Sequence, residues 1–152
     1  MNILKSVFIF VLLGLIVSCA PKVIETKPPV SIKEILRTTT SWDGDSINYP
    51  EGSPEITVLT IDMPAGFDTG FHCHPVPNLA YMLEGEIEVE VFNGPKIIFK
   101  KGDAFEEVIH TWHKGRVLKG PAIIVVFYVG EVDTKITIKP KSADLKNEKC
   151  VE

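Results

Sequence analysis

Apolar and polar residues alternate along several stretches of the chain, in the pattern of strands that bury one face. Residues 86–92 (EIEVEVF) alternate strictly between acidic and apolar side chains, and residues 55–62 (EITVLTID) are rich in β-branched residues. Residues 96–99 follow an Asn93-Gly94 pair, a strong hairpin signal. Residues 122–129 (AIIVVFYV) are continuously apolar, as expected of a strand buried on both faces. The pattern predicts an all-β domain.

Turn signals separate these stretches, which indicates a sandwich or barrel of short antiparallel strands. The signals are Pro64-Ala65-Gly66, Glu84-Gly85, Asn93-Gly94 and Lys101-Gly102. Residues 31–37 are the one segment whose pattern allows a helix, and residues 38–53 are expected to form a loop with one strand. Residues 141–152 are expected to be a loose C-terminal tail.

The N-terminus has the features of an export signal. Lys5 supplies a positive charge, and the apolar run at residues 7–17 is shorter than the roughly 20 residues of a membrane-spanning helix. Residues 16–19 (IVSC) resemble the lipobox of bacterial lipoproteins, in which the signal is cut before a cysteine that is then lipidated. The resemblance implies a signal peptide at residues 1–18 and lipidation of Cys19. A plain secretory signal with an incidental cysteine is the alternative.

The segment after Cys19 predicts a tether. Residues 19–30 contain three prolines, which extend and stiffen a chain, so we expect the domain proper at residues 31–140. The lipoprotein resemblance implies a cell-envelope protein anchored to a membrane. Ala20 stands where an aspartate would indicate inner-membrane retention, which favours the outer membrane if the organism has one.

Charge composition argues against a nucleic-acid partner. The chain has 16 basic and 20 acidic residues, a formal net charge of −4, and no run of Lys and Arg. Its acids and bases are those of a mixed, solvated surface.

The histidines lie in two short clusters: His72 and His74, then His110 and His113. Residues i and i+2 of a strand project from the same face, so the imidazoles of His72 and His74 are expected to be neighbours. A third imidazole from another strand would complete one face of a divalent metal site, and His113 is the natural candidate. The alternative is a chance pair of surface histidines.

The spacing around the first cluster resembles the first motif of the cupin family. That motif is matched by Gly66, His72, His74 and Gly85, with Asn78 where the family has a glutamate. The second motif is matched by Gly102-Asp103 and His113, while Val108, His110 and Val117 replace its proline, glycine and asparagine. The resemblance implies a small antiparallel jelly-roll barrel, and it allows a homodimer.

The resemblance implies that His72, His74 and His113 are metal ligands, with Asn78 as a possible fourth ligand. The metal would be a divalent transition metal: Fe, Ni, Mn, Zn or Cu. The function implied is binding or transformation of a small molecule, for example by a metal-dependent oxygenase or isomerase. A non-catalytic binding module and a degenerate structural barrel stay open.

Three further side chains are weak candidates for acid–base catalysis: Glu106, Glu107 and His110. Glu106 and Glu107 point to opposite faces of a regular strand, so one of them would face inward, where it could replace the missing ligand or act as a base. His110 could lie near the metal or cap a loop. Cys73 should point away from its flanking histidines, and a disulfide with Cys150 is possible outside the cytoplasm.

Overall fold

The computed structural model describes residues 30–141, 145, 149 and 150. The predicted signal peptide, Cys19 and most of the predicted tether lie outside these residues. A compact unit, Lys33–Glu152, contains the fold described below. In the part of the chain that the structure describes, no helix has the length and apolar character needed to cross a bilayer.

Five strands form one antiparallel sheet, which confirms the all-β prediction. They are β1 (Pro54–Met63), β2 (Asn78–Val91), β3 (Lys96–Lys100), β4 (Ala104–Glu106) and β5 (His113–Glu131). The strand order is β1-β5-β2-β3, and β4 pairs with β2. The predicted strands at residues 55–62, 86–92 and 96–99 correspond to β1, the second half of β2 and β3.

The long strands β2 and β5 bend because their pairing is irregular. Their register shifts between Met82 and Ile87, as at a β-bulge, which bends the strand and increases its twist. Gly85 lies within this irregularity at φ 80°, and a Cβ there would come within 2.6 Å of the Cα atom of Ala122. The predicted turn at Glu84-Gly85 is therefore wrong, since β2 continues through it as a bulge.

Residues 68–74 close the curved sheet across the start of β5. Isolated bridges join Asp68 to Arg116 and His72 to His113. This segment brings both histidines of the first cluster against the strand that carries His113.

Side chains from the inner faces of β1, β2 and β5 form the main core. Along β5, Ala122, Ile124, Val126 and Tyr128 are buried, whereas Phe127 between them is 44% exposed. The expectation that residues 122–129 are buried on both faces is therefore wrong. An antiparallel sheet commonly has one solvated face, and the apolar residues of that face remain partly exposed here.

The segment before β1 contains neither a helix nor a strand. Residues 31–37, whose pattern allows a helix, form none, and Ile32 and Ile35 are 93% and 52% exposed. A helix this short is unstable unless it buries an apolar face, and these two apolar side chains stay exposed. The strand expected within residues 38–53 is wrong, since they contain only an isolated bridge between Thr40 and Ser46.

A second, smaller core lies beside the first. Cys73, Trp112 and Cys150 are its buried members, with Phe92, Ile138 and Leu145 packed against them. Cys73 and Cys150 form a disulfide, which the sequence left open. The end of the chain is therefore not a loose tail at its described residues. We call this cluster the satellite core.

We expect the disulfide to contribute about 2–4 kcal/mol to stability, because it closes a loop of 77 residues and restricts the unfolded chain. Urea unfolding of Cys150→Ala should show this loss. Reductant should lower the stability of the wild-type protein by a similar amount and leave that of Cys150→Ala unchanged. Equal stability of oxidised wild type and Cys150→Ala would contradict the expectation.

Candidate metal centre

The three predicted ligand histidines converge inside the domain. His72 and His113 are paired by two backbone hydrogen bonds, of 2.8 Å and 2.9 Å. The ring centroids of the three histidines are 4.5–5.1 Å apart, and one ligand nitrogen from each ring lies within 4.8 Å of the others. The chain thus brings together the three imidazoles that the strand pattern and the cupin resemblance selected.

Hydrogen bonds orient all three rings in the same way. The Nδ1 atom of His72 donates to the carbonyl oxygen of Gly70 (2.9 Å), that of His74 to Ile136 (2.6 Å), and that of His113 to Thr111 (2.8 Å). A proton on Nδ1 leaves Nε2 with a free lone pair, the form in which histidine binds metal ions.

Burial favours the neutral form of two of these imidazoles. Together with the charges of neighbouring His113 and His74, it lowers the pKa of His72 to about 3. Burial also lowers the pKa of His113. Since a neutral imidazole is the ligand form, these two rings need lose no proton near pH 7 to bind a cation.

Glu107 lies against two of the imidazoles. One of its carboxylate oxygens is 3.2 Å from Nε2 of His74, and the other is 4.0 Å from Nε2 of His113. Burial would raise the pKa of Glu107, but the hydrogen bond to His74 and the charge interactions with the histidines lower it to about 2. An ionised carboxylate therefore lies beside the three imidazoles.

These groups fit a transition-metal ion. The Nε2 atom of His113 is fully buried and has no hydrogen-bond partner, which is costly unless something else binds it. Imidazole nitrogens together with a carboxylate form a donor set that suits Fe, Ni, Zn and other divalent transition metals. The three histidines could hold such an ion.

Asn78 and Glu106 form a neighbouring polar pair rather than joining the imidazoles. The backbone N–H of Asn78 donates to the Glu106 carboxylate at 2.8 Å. The side-chain amide of Asn78 is buried and makes no hydrogen bond, so it makes none to the three histidines. Burial, together with the charge of Glu107, raises the pKa of Glu106 to about 7.

His110 does not join the other three histidines. Its side chain is exposed, and its backbone has a left-handed φ of 53°. Its backbone N–H donates to the carbonyl oxygen of His74, and its own carbonyl oxygen accepts from the N–H of Cys150. His110 therefore shapes the loop that links the ligand segment to the C-terminal residues, in line with the loop alternative.

Sequence reasoning did not identify which acidic residue would face inward. Glu106 is 2% exposed and the side chain of Glu107 is 13% exposed, so both are shielded, contrary to the expectation that one would face solvent. The chain leaves β4 after Glu106, and strand alternation therefore could not place Glu107. In the sequence, only the clustered histidines indicated that a nearby carboxylate could have a partner.

A cavity of about 100 Å³ adjoins the imidazoles. His72, His74 and Glu107 contribute to its wall, as does the ring of Tyr128, whose pKa is raised by burial. The remaining wall is largely apolar and comes from the inner faces of β1, β2 and β5. A small molecule in this cavity would contact the imidazoles directly.

The family comparison agrees with this architecture. Residues 59–128 match the family model described as "Cupin domain". This segment is similar to a cupin domain. The match includes His72, His74 and His113, and it excludes the N-terminal residues on which the lipoprotein prediction rests.

Solved cupin structures resemble the domain. A structure described as DMSP lyases RdDddP and RnDddQII aligns with a TM-score of 0.50 and 19% identity, covering 57% of this chain and 44% of that chain. The DMSP lyase DddQ from Ruegeria pomeroyi DSS-3 aligns at 0.49 and 25% identity, covering 55% and 42%. An RmlC-like cupin from Shewanella frigidimarina NCIMB 400 aligns with a TM-score of 0.44 and 21% identity. The alignment covers 64% of this chain and 96% of that chain.

These likenesses concern the cupin fold. The present chain spans less than half of the two DMSP lyase chains. No curated protein matches the sequence.

We expect Glu106 to make stability depend on pH. An unfolded carboxyl ionises near 4.5, but folded Glu106 keeps its proton to about pH 7, so stability falls as pH rises between these values. Glu106→Gln should therefore gain roughly 2 kcal/mol over wild type between pH 5 and pH 7. Urea unfolding of metal-free protein measures this difference.

Glu84→Gln is the control, because it removes the carboxyl group of an exposed residue and leaves the buried acid in place. A Glu106→Gln difference that stays constant across this pH range would show that Glu106 is not a protonated buried acid.

Proposed function

We propose that the cupin domain holds one divalent transition-metal ion on His72, His74, His113 and Glu107, and that it binds and transforms a small molecule there. The observation that carries the proposal is the convergence of one nitrogen from each of three imidazoles, whose rings are each oriented by an Nδ1 hydrogen bond, with a carboxylate beside them. The metal could be Fe, Ni, Mn, Zn or Cu.

Glu107 is the fourth ligand in this proposal. Its oxygens lie 3.2 Å and 4.0 Å from two imidazole nitrogens, separations that a shared ion could bridge, given metal–ligand bonds of about 2.0–2.2 Å. The position at which the cupin motif has glutamate is occupied by Asn78, whose amide carries no charge. The carboxylate would thus come from the end of β4 instead of the start of β2.

A bound ion would act as a Lewis acid that polarises a coordinated oxygen or nitrogen of the small molecule. The chain's own groups position it. The carbonyl oxygens of Gly70, Ile136 and Thr111 fix the imidazoles, and the apolar wall limits the water around them. An oxygenase or isomerase reaction is compatible with this arrangement.

A non-catalytic metal- or ligand-binding module is the second candidate. If Glu107 binds the metal, the described cavity wall offers no further carboxylate as a base, and the Tyr128 hydroxyl is held protonated by a raised pKa. Product formation or oxygen uptake by metal-loaded protein, lost in His72→Ala, would favour the enzyme. Metal binding without either would favour the module.

We also propose that the domain works in the cell envelope on a lipid anchor at Cys19. The lipobox resemblance of residues 16–19 supports this, and the Cys73–Cys150 disulfide favours an oxidising compartment. Partition of the expressed protein into a detergent phase, abolished by Cys19→Ser, is the expected result. Equal partition of both proteins would count against the anchor.

We expect calorimetric titration of metal-free protein with Co²⁺ or Zn²⁺ to give one site per chain. Binding should be lost when His72, His74 and His113 are all replaced by alanine. Glu107→Gln should weaken metal affinity about 100-fold, because it removes a charged ligand. Loss of an outer-shell partner costs about 10–100-fold in affinity, and loss of a ligand should cost at least the upper part of that range. Circular dichroism confirms that each variant is folded.

Asn78→Ala is the matched control for the fourth ligand. It removes the amide at the position where the cupin motif has glutamate, and it should change the Kd less than threefold. If Asn78→Ala weakened metal binding and Glu107→Gln did not, the fourth ligand would be Asn78. A stoichiometry that survives the triple histidine substitution would refute the metal centre.

A further inference from the structure

The geometry points to a ligand class for this centre: a molecule with one metal-binding head and an uncharged, apolar body that carries no second anionic group. The inference rests on the proposed function. It is supported by the composition of the cavity wall beside the imidazoles, which is largely apolar. A phosphorylated or dicarboxylic ligand would need positively charged or hydrogen-bonding side chains in that wall.

The part of the wall that would meet the ligand's body is apolar. It consists of inner-face side chains of the sheet and one loop residue: Met63, Phe67, Ile87, Val89, Ile124 and Val126. Phe67 is 44% exposed and the others are buried or partly buried. Such a wall favours apolar groups and offers them no hydrogen bonds.

The other polar groups of the wall already have partners. The Thr69 hydroxyl donates to the carbonyl oxygen of Gly70 and accepts from the backbone N–H of Gly115, each at 2.9 Å. The Tyr128 hydroxyl is hydrogen-bonded to Thr137. The polar atoms left for a ligand are therefore those of the metal centre itself.

The described wall offers no side-chain cation. No lysine or arginine is among the described lining residues. The amine of Lys139, which lies beyond Thr69, donates to the Thr69 carbonyl oxygen at 3.0 Å. A second anionic group, held away from the metal by the ligand's body, would lose its water and gain no positively charged side chain.

Size restricts the class further. A cavity of about 100 Å³ is small beside the 300–1,000 Å³ of common ligand pockets. The ligand's body should therefore contain only a few carbon atoms.

Three hydroxamates with the same metal-binding head and tails of similar shape test the inference. 3-Methylbutanohydroxamate has an apolar tail, malonamide hydroxamate an amide, and malonate monohydroxamate a carboxylate. Each is titrated into Co²⁺-loaded protein and followed by the visible spectrum of the cobalt ion. Each Kd is divided by that of the same compound for free Co²⁺, which removes differences between the heads.

We expect the apolar compound to bind at least tenfold more tightly than the carboxylate, with the amide between them. Val126→Thr adds a hydroxyl to the wall at nearly constant shape and should reduce the preference for the apolar tail over the amide about threefold. Val125→Thr, on the outer face of the same strand, is the matched control and should change nothing.

Equal or tighter binding of the carboxylate would overturn the inference while leaving the metal centre intact. Identical effects of Val126→Thr and Val125→Thr would also overturn it, because the tail would then not contact this wall. Failure of the protein to bind Co²⁺ would refute the proposed function, and this inference with it.

Discussion

Three imidazoles gathered away from water are the constraint on which the rest of the site depends. A buried polar group without a partner is costly. The backbone accepts the hydrogen bond of every Nδ1 atom: His72 and His113 each use the carbonyl oxygen two residues before them, and His74 uses that of Ile136 after β5. The other ring nitrogens lie close together beside Glu107, an arrangement that could hold one cation.

Strand alternation connects this centre to the satellite core. Cys73 lies between two ligand histidines and Trp112 precedes the third, and both point away from the imidazoles into the satellite core. The disulfide from Cys73 to Cys150 fastens the end of the chain to the same place. The segments that carry the three histidines are thereby packed on both faces, with the imidazoles on one side and the satellite core on the other.

The residues that sequence reasoning placed correctly are those governed by local rules. The period of two in residues 86–92 and the Asn93-Gly94 turn depend on neighbours along the chain, and so does the shared face of His72 and His74. Other features depend on tertiary contacts. The helix that the pattern allows at residues 31–37 does not form, and its apolar side chains Ile32 and Ile35 stay exposed. Gly85 lies in a bulge, where a Cβ atom would come within 2.6 Å of Ala122.

Glu107 shows why the candidate site could be predicted only in part. The family pattern directs attention to Asn78, yet the buried carboxylate beside the histidines comes from the residue after β4. β4 pairs with the start of β2, with Leu79 opposite Glu106, so the two positions lie side by side in the sheet. A carboxylate lost from one strand could thus be supplied from its neighbour, a substitution that single-strand patterns do not reveal.

The origin of the carboxylate also affects the chemistry that the centre can support. Three histidines alone would leave a divalent ion its full charge, whereas Glu107 would lower the net charge of the centre by one. The walls around it supply no compensating charge among their described residues. An anionic head could therefore bind the ion, but a second anion on the same molecule would meet only apolar side chains and Glu107. Selectivity against a second negative charge would follow from the lack of positively charged side chains among the described lining residues, without a dedicated recognition residue.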